Sequence, residues 1–242
     1  MVDPRISIIN DRLKATRNIV AVSSGKGGVG KSLTASTLAL ILAKRGYKVG
    51  LFDLDFTSPS THVILGIEDV KPKEEKGIIP PQVHGIEYMS IIYYSGEHAA
   101  PLRGADVSNA LIELLAVTRW STLDFLIIDM PPGIGDATLD IIRLIKQIKF
   151  IIITTPSQLA FETIKKLISL LKDLKVQVLG VVENMKMDDS QLIQQKVLSL
   201  NVPYLGEIRF DAKIEYAMGD VNELLASNFA KKIGEISSKI VD

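Results

Sequence analysis

Residues 18–36, NIVAVSSGKGGVGKSLTAS, decide how this chain is read. An apolar run rich in Val and Ile (18–24) reads as a buried strand, and SLTASTLALILAKRG reads as a helix that stops at Gly46. Between them, Gly25 to Ser32 fits G-x-x-x-x-G-K-[ST] in the strand–turn–helix context that a phosphate-binding loop requires. Backbone N–H groups of Gly25, Lys26, Gly27, Gly28, Val29 and Gly30 are expected to point at phosphate oxygens, aided by the helix dipole. Lys31 is placed to neutralise the β- and γ-phosphates, and the Ser32 hydroxyl suits Mg²⁺. Lys26, lodged among the glycines, is one lysine more than such a cradle needs.

A phosphate loop needs acidic partners at neighbouring strand ends. Asp129 closes the apolar run DFLIID (124–129), where a carboxylate holds Mg²⁺ through water. The sharp PPG turn after it is expected to present the Gly133 N–H to the terminal phosphate. Asp53 and Asp55 end KVGLFDLD (48–55), on one side of the strand by their i, i+2 spacing. Asp55, nearer the loop, is the candidate to orient or deprotonate an attacking water. Asp53 is assigned to Mg²⁺ or to a structural hydrogen bond.

Beyond these stretches, strand patterns FIIITT (150–155), VQVLGVVEN (176–184) and PYLGEI (203–208) alternate with helical ones at 108–120, 136–148, 157–174, 190–200 and 221–241. Residues 56–107 are less regular, with turns around one extended segment. Continuous apolar strands alternating with helices indicate an α/β fold. The expected architecture is a three-layer P-loop NTPase fold, a mostly parallel central sheet flanked by helices. One domain over 1–242 is expected, with about 1–17 as an N-terminal extension.

Lys plus Arg and Asp plus Glu are balanced at 28 each, so no nucleic-acid partner is expected. The N-terminus lacks the apolar run of a signal peptide, and no window has the roughly 18 unbroken apolar residues of a membrane span. No membrane partner and a cytoplasmic location follow as expectations. There is no cysteine in the 242 residues, which excludes disulfides, thiolate catalysis and cysteine-ligated metal sites built from this chain.

Taken together, GKGGVGKS, DLDFTSPS and LDFLIIDMPPGIGD resemble the Mrp/ApbC family of MinD-like ATPases with a deviant Walker A motif. The resemblance continues through PLRGADVSNAL, IIITTPSQLAFETIKK, VLGVVENM and VPYLGEIRFD, covering roughly residues 18 to 215. It implies a slow Mg-dependent ATPase that works as a homodimer enclosing two ATP molecules. Lys26 then stands where the family's lysine reaches across the interface to the partner's nucleotide. A cation delivered in this way is worth roughly 10³ to 10⁵ in rate in other phosphoryl-transfer enzymes. Asn184 stands where the family's ENM asparagine contacts adenine. The guanine pattern N-K-x-D is broken here by Met185, between Asn184 and Lys186.

The same resemblance implies an iron–sulfur cluster and iron–sulfur client proteins or assembly factors. Yet the C-P-x-C stretch expected after ENM is replaced by KMDDSQLIQQK, and His62, His84 and His98 are scattered. Two alternatives remain at this level. One is a MinD/ParA-like positioning ATPase whose tail (221–241) binds lipid, although packing of that tail on the core is the plainer expectation; the other is a non-hydrolysing ATP-gated scaffold.

Overall fold

The computed structural model describes residues 3–95 and 105–241. Helix α1 (Arg5–Leu13) leads into β1 (Asn18–Ser24), the phosphate loop and α2 (Lys31–Lys44), followed by β2 (Val49–Asp53). The irregular stretch then forms α3 (Thr61–Ile64), β3 (Lys73–Glu74), β4 (Ile78–Ile79), β5 (Gln82–Val83), β6 (Ile86–Ser90) and α4 (Ile92–Ser95). Next come α5 (Ala105–Val117), β7 (Phe125–Asp129), α6 (Asp136–Leu144), β8 (Ile148–Thr154) and α7 (Gln158–Asp173). The chain closes with β9 (Gln177–Lys186), α8 (Leu192–Ser199), β10 (Tyr204–Arg209), a 3-10 turn (Ala212–Ala217), α9 (Val221–Ala226) and α10 (Asn228–Val241).

The main sheet runs β10-β9-β8-β1-β7-β2-β6-β5, and every neighbouring pair is parallel except β5 with β6. The expected three-layer, mostly parallel α/β fold is therefore the observed one. Alternate residues of each strand serve opposite faces. Ile19, Ala21, Ile128 and Ile152 join the core with Leu111, Ile141, Leu167 and Val197. Val20, Val22, Ile127 and Ile151 join that with Leu38, Leu42, Leu224 and Ile233. Because β1 lies between β7 and β8, the chain enters the phosphate loop from mid-sheet, where ligands of parallel α/β proteins collect.

Several boundaries differ from the sequence expectation. The strand expected over 48–55 ends at Asp53, because the Leu54 N–H turns to the Asp129 carbonyl and the Asp55 N–H to the Asp53 side chain. The helix expected over 136–148 ends at Leu144; Ile145 leaves helical geometry, and Ile148 already pairs with Ile19 of β1. The stretch 1–17 contains a helix whose Ile9 and Leu13 are buried, packed on α5 and α6. Among the described residues of 56–107 there are two short pairs of strands instead of one extended segment, and of these β6 extends the parallel sheet beyond β2. His98 and the Arg103–Gly104 portion of PLRGADVSNAL lie outside the described residues.

The tail packs on the core. Phe229, Ala230, Ile233 and Ile236 bury the apolar stripe of α10 against α2 and β10. A helix whose apolar face already covers its own domain has no free stripe for lipid, which removes the support for a lipid-binding tail. No helix among the described residues is long and apolar enough to cross a membrane. Replacing Ile233, which is fully buried, by Ala is expected to lower the unfolding free energy by about 2–5 kcal/mol in urea titration.

Candidate phosphate-binding site

The site begins with the glycines. Gly30 precedes α2 with φ 84°, a left-handed conformation that side chains resist, and a Cβ there would lie 2.3 Å from Asn184 Nδ2. At Gly25 a Cβ would lie 2.2 Å from Thr163 Oγ1, so close approach of α7 demands glycine. A Cβ at Gly27 or Gly28 would meet nothing within 4 Å, leaving open space over the middle of the loop. Ser24 Oγ donates to the Lys26 carbonyl at 2.8 Å, and the Lys26 side chain is exposed at the rim.

Strand register assembles the charges. Val22 of β1 stands beside Asp129 of β7, which stands beside Asp53 of β2. Lys31, at the start of α2, donates from Nζ to Asp129 Oδ1 at 2.7 Å and lies 3.5 Å from Asp55 Oδ2. Its ammonium also lies 3.3 Å from Ser32 Oγ. Asp129 Oδ2 is buried without a hydrogen-bond partner. An orphaned carboxylate oxygen beside Ser32 and an open glycine loop is a donor set that fits a hard divalent cation and a polyphosphate.

The two acids of β2 and its following loop behave differently. Asp55 Oδ1 accepts from Thr57 N (3.1 Å), Thr57 Oγ1 (2.6 Å) and Ser58 N (3.1 Å), so Oδ2 is the oxygen facing Lys31. Asp53 accepts from Asp55 N (3.1 Å) on Oδ1, and from Thr61 N (3.3 Å) and Thr61 Oγ1 (2.6 Å) on Oδ2. Both Asp53 oxygens are thus engaged by protein donors.

Two groups expected at the nucleotide have protein partners in this structure. The Gly133 N–H donates to the Ser24 carbonyl at 3.0 Å, tying the Pro131–Gly133 turn to the end of β1. Asn184 Nδ2 donates to the Val29 carbonyl at 2.9 Å, so one amide hydrogen supports the loop, and the second hydrogen and the amide oxygen remain. The left-handed Met185 (φ 58°) then redirects the strand, and Lys186 turns inward. There Lys186 is buried, bonded to Glu207 and 3.7 Å from Glu183, whose carboxylate also accepts from the Tyr204 hydroxyl at 2.7 Å. Thus the one lysine of the broken N-K-x-D pattern is engaged by two carboxylates. No local sequence pattern marked Glu183, Tyr204, Glu207, Thr61 or Tyr88, because their partners lie on other strands or loops.

His62 and His84, the histidines among the described residues, do not gather into a metal site. His84 bonds the Leu65 carbonyl through Nε2 at 2.9 Å. His62 borders a separate cavity of about 1190 Å³, and burial lowers its pKa. Among the described residues no group of three or more His, Asp or Glu could hold a metal ion.

A family model described as ParA: NUBPL iron-transfer P-loop NTPase matches residues 15–242. The iron-sulfur cluster carrier protein of Pseudomonas fragi is 44% identical over 177 residues, which is 72% of this chain and 62% of that protein. Its namesake from Escherichia coli K12 is 43% identical over 176 residues, 72% of this chain and 48% of that protein. The chain thus spans only part of the length of these curated relatives. Among solved structures, a nucleotide-binding protein in complex with ADP from Archaeoglobus fulgidus superposes with a TM-score of 0.79 at 29% identity, covering 93% of this chain and 95% of that one. The cell division ATPase MinD of Pyrococcus furiosus superposes with a TM-score of 0.70 at 21% identity, covering 93% of this chain and 98% of that one, and shares the fold.

Burial pushes the Asp129 carboxyl up to about 7; Lys31 opposes this, and the charge of Asp53 adds to it. The folded form therefore keeps a proton that the unfolded chain releases near its ordinary value of 3.8. Stability from this group is present at acid pH and is lost as the pH rises toward 7. In nucleotide-free, metal-free buffer, urea unfolding free energies measured from pH 4 to 7 are expected to carry this decline, and Asp129→Asn is expected to remove Asp129's share of it.

Proposed function

The chain belongs to the ParA family of NUBPL-type iron-transfer P-loop NTPases, and on that premise we propose that it is a Mg-dependent ATP-binding and ATP-hydrolysing switch that works as a homodimer. The observation that carries this reading is Lys31, poised between Asp129 and Asp55 at the base of an open glycine loop.

On triphosphate binding, the loop N–H groups from Gly25 to Gly30 take the phosphate oxygens, and Lys31 exchanges its carboxylate partners for the β- and γ-phosphates. Release of Lys31 frees Asp129 Oδ1, and a bound divalent cation would take over from the lysine in favouring the ionised carboxylate. Ser32 and Asp129 would hold Mg²⁺, which offsets the charge that builds on the phosphoryl oxygens. Asp53 supports the adjacent loop from behind. Asp55 Oδ2 orients the attacking water and accepts its proton, while Oδ1 stays fixed by Thr57 and Ser58. Gly133 exchanges the Ser24 carbonyl for the terminal phosphate, so the turn after β7 reports whether that phosphate is present. Asn184 supports the loop from the base side, and the exposed Lys26 supplies a cation to the nucleotide of the second subunit.

The cargo reading is narrower. The relatives are named as iron-sulfur cluster carriers, and this chain has no cysteine thiolate to offer a cluster. The ATP switch therefore acts in iron–sulfur cluster assembly through a client apoprotein or assembly factor that brings the ligands. A cytoplasmic location belongs to the same proposal.

Lys31→Ala is expected to abolish ATP binding in titration calorimetry, whereas Asp55→Ala keeps binding and loses phosphate release. Normal turnover in Asp55→Ala would remove the water-orienting assignment. Lys26→Ala is expected to bind ATP but to elute as a monomer, where the unchanged chain with ATP elutes as a dimer on a sizing column.

A further inference from the structure

A buried hydrogen-bonded chain runs from β6 to the loop that carries Asp55. The Tyr88 hydroxyl lies 2.9 Å from Thr61 Oγ1, and Thr61 Oγ1 donates to Asp53 Oδ2 at 2.6 Å. With the Thr61 proton directed at the carboxylate, the Tyr88 hydroxyl is the donor to Thr61. Asp53 closes the chain by accepting the Asp55 N–H on its other oxygen at 3.1 Å. Tyr88, Thr61 and Asp53 are each fully buried. Burial first, and then the charge of Asp53, raise the Tyr88 pKa, so the hydroxyl keeps its proton.

This wiring joins the two ends of one loop. Asp53 holds Asp55 at the start of the 54–61 segment and Thr61 at its end, with two donors on Oδ2 filling that oxygen's lone pairs. Asp55 in turn fixes Thr57 and Ser58 inside the same segment through Oδ1. Only Asp55 Oδ2, 3.5 Å from Lys31, is left facing the phosphate site. We propose that Thr61 and Tyr88, acting through Asp53, are positioning residues that hold Asp55 Oδ2 in register with the phosphate site. This inference rests on the reading of Asp55 as the group that orients water. Thr61 and Tyr88 act through their bonds to Asp53 and to each other, and so set where the loop begins and ends.

The physical consequence is a separation of turnover from binding. The phosphate cradle lies on the other side of Lys31, so loosening the 54–61 loop leaves the groups that hold ATP in place. Thr61→Val removes both hydroxyl bonds at nearly constant volume, and Tyr88→Phe removes only the outer one. The expected result for Thr61→Val is single-turnover ATP cleavage lowered by about tenfold, with the ATP dissociation constant changed less than about twofold. Tyr88→Phe is expected to show a smaller loss of the same kind, and Thr61→Ser, which keeps the hydroxyl, to restore cleavage. Hydrogen exchange across 54–61 is expected to accelerate in Thr61→Val, with β1 and β7 protected as before. Unchanged cleavage with unchanged exchange in that segment would overturn the proposal, as would ATP affinity falling in step with turnover. If the unsubstituted protein cleaves no ATP, the ATPase reading fails by itself; the exchange measurement on Thr61→Val then decides the positioning role, unchanged exchange overturning it.

Discussion

The ammonium of Lys31, held 2.7 Å from Asp129 and 3.5 Å from Asp55, is the interaction around which the rest of this structure is arranged. Asp53, Asp55 and Asp129 are all buried, so three carboxylates share one lysine in a region that water does not screen. Burial alone disfavours so much negative charge, and the raised pKa values of Asp53 and Asp129 express it. A site with this excess is electrostatically suited to added cations. It also keeps its lysine desolvated, with the ammonium turned to Asp129 and Asp55.

The sheet supplies the positions and the loops supply the differences between the acids. Register puts Val22, Asp129 and Asp53 in a row across β1, β7 and β2, so the carboxylates sit level with the exit of β1. From there each acid acquires its own set of donors. Asp53 is enclosed by Thr61 and the Asp55 N–H, Asp55 is half tied to Thr57 and Ser58, and Asp129 keeps an oxygen without a partner. Three chemically identical side chains thereby stand in three different hydrogen-bond environments.

The loops around the phosphate site are bonded to one another. Gly133 is tied to Ser24, Asn184 to Val29, and Lys31 to Asp129. Each of these bonds pairs a polar group that would otherwise stand unsatisfied at the loop. The Gly133 bond also joins the turn after β7 to the end of β1, next to the glycine loop.

Much of this was legible in the residues themselves. GKGGVGKS between an apolar strand and a helix specifies a phosphate loop, because glycine spacing, a lysine and a helix start are local requirements. The alternation of apolar runs with helical patterns likewise specified the parallel sheet. Helix and strand ends were less legible: Ile148 belongs to β8 because it pairs with Ile19, more than a hundred residues away in the chain. The partners of Gly133 and Asn184 were invisible for the same reason, being backbone carbonyls brought close only by packing. The sequence by itself determined which chemical groups stand at the strand ends and that cysteine is not among them. Only the tertiary structure decided which donors each carboxylate meets, that Lys186 turns inward between Glu183 and Glu207, and that Tyr88 and Thr61 brace the Asp55 loop. Strand order and register set those contacts, and neither is written in any short stretch of the chain.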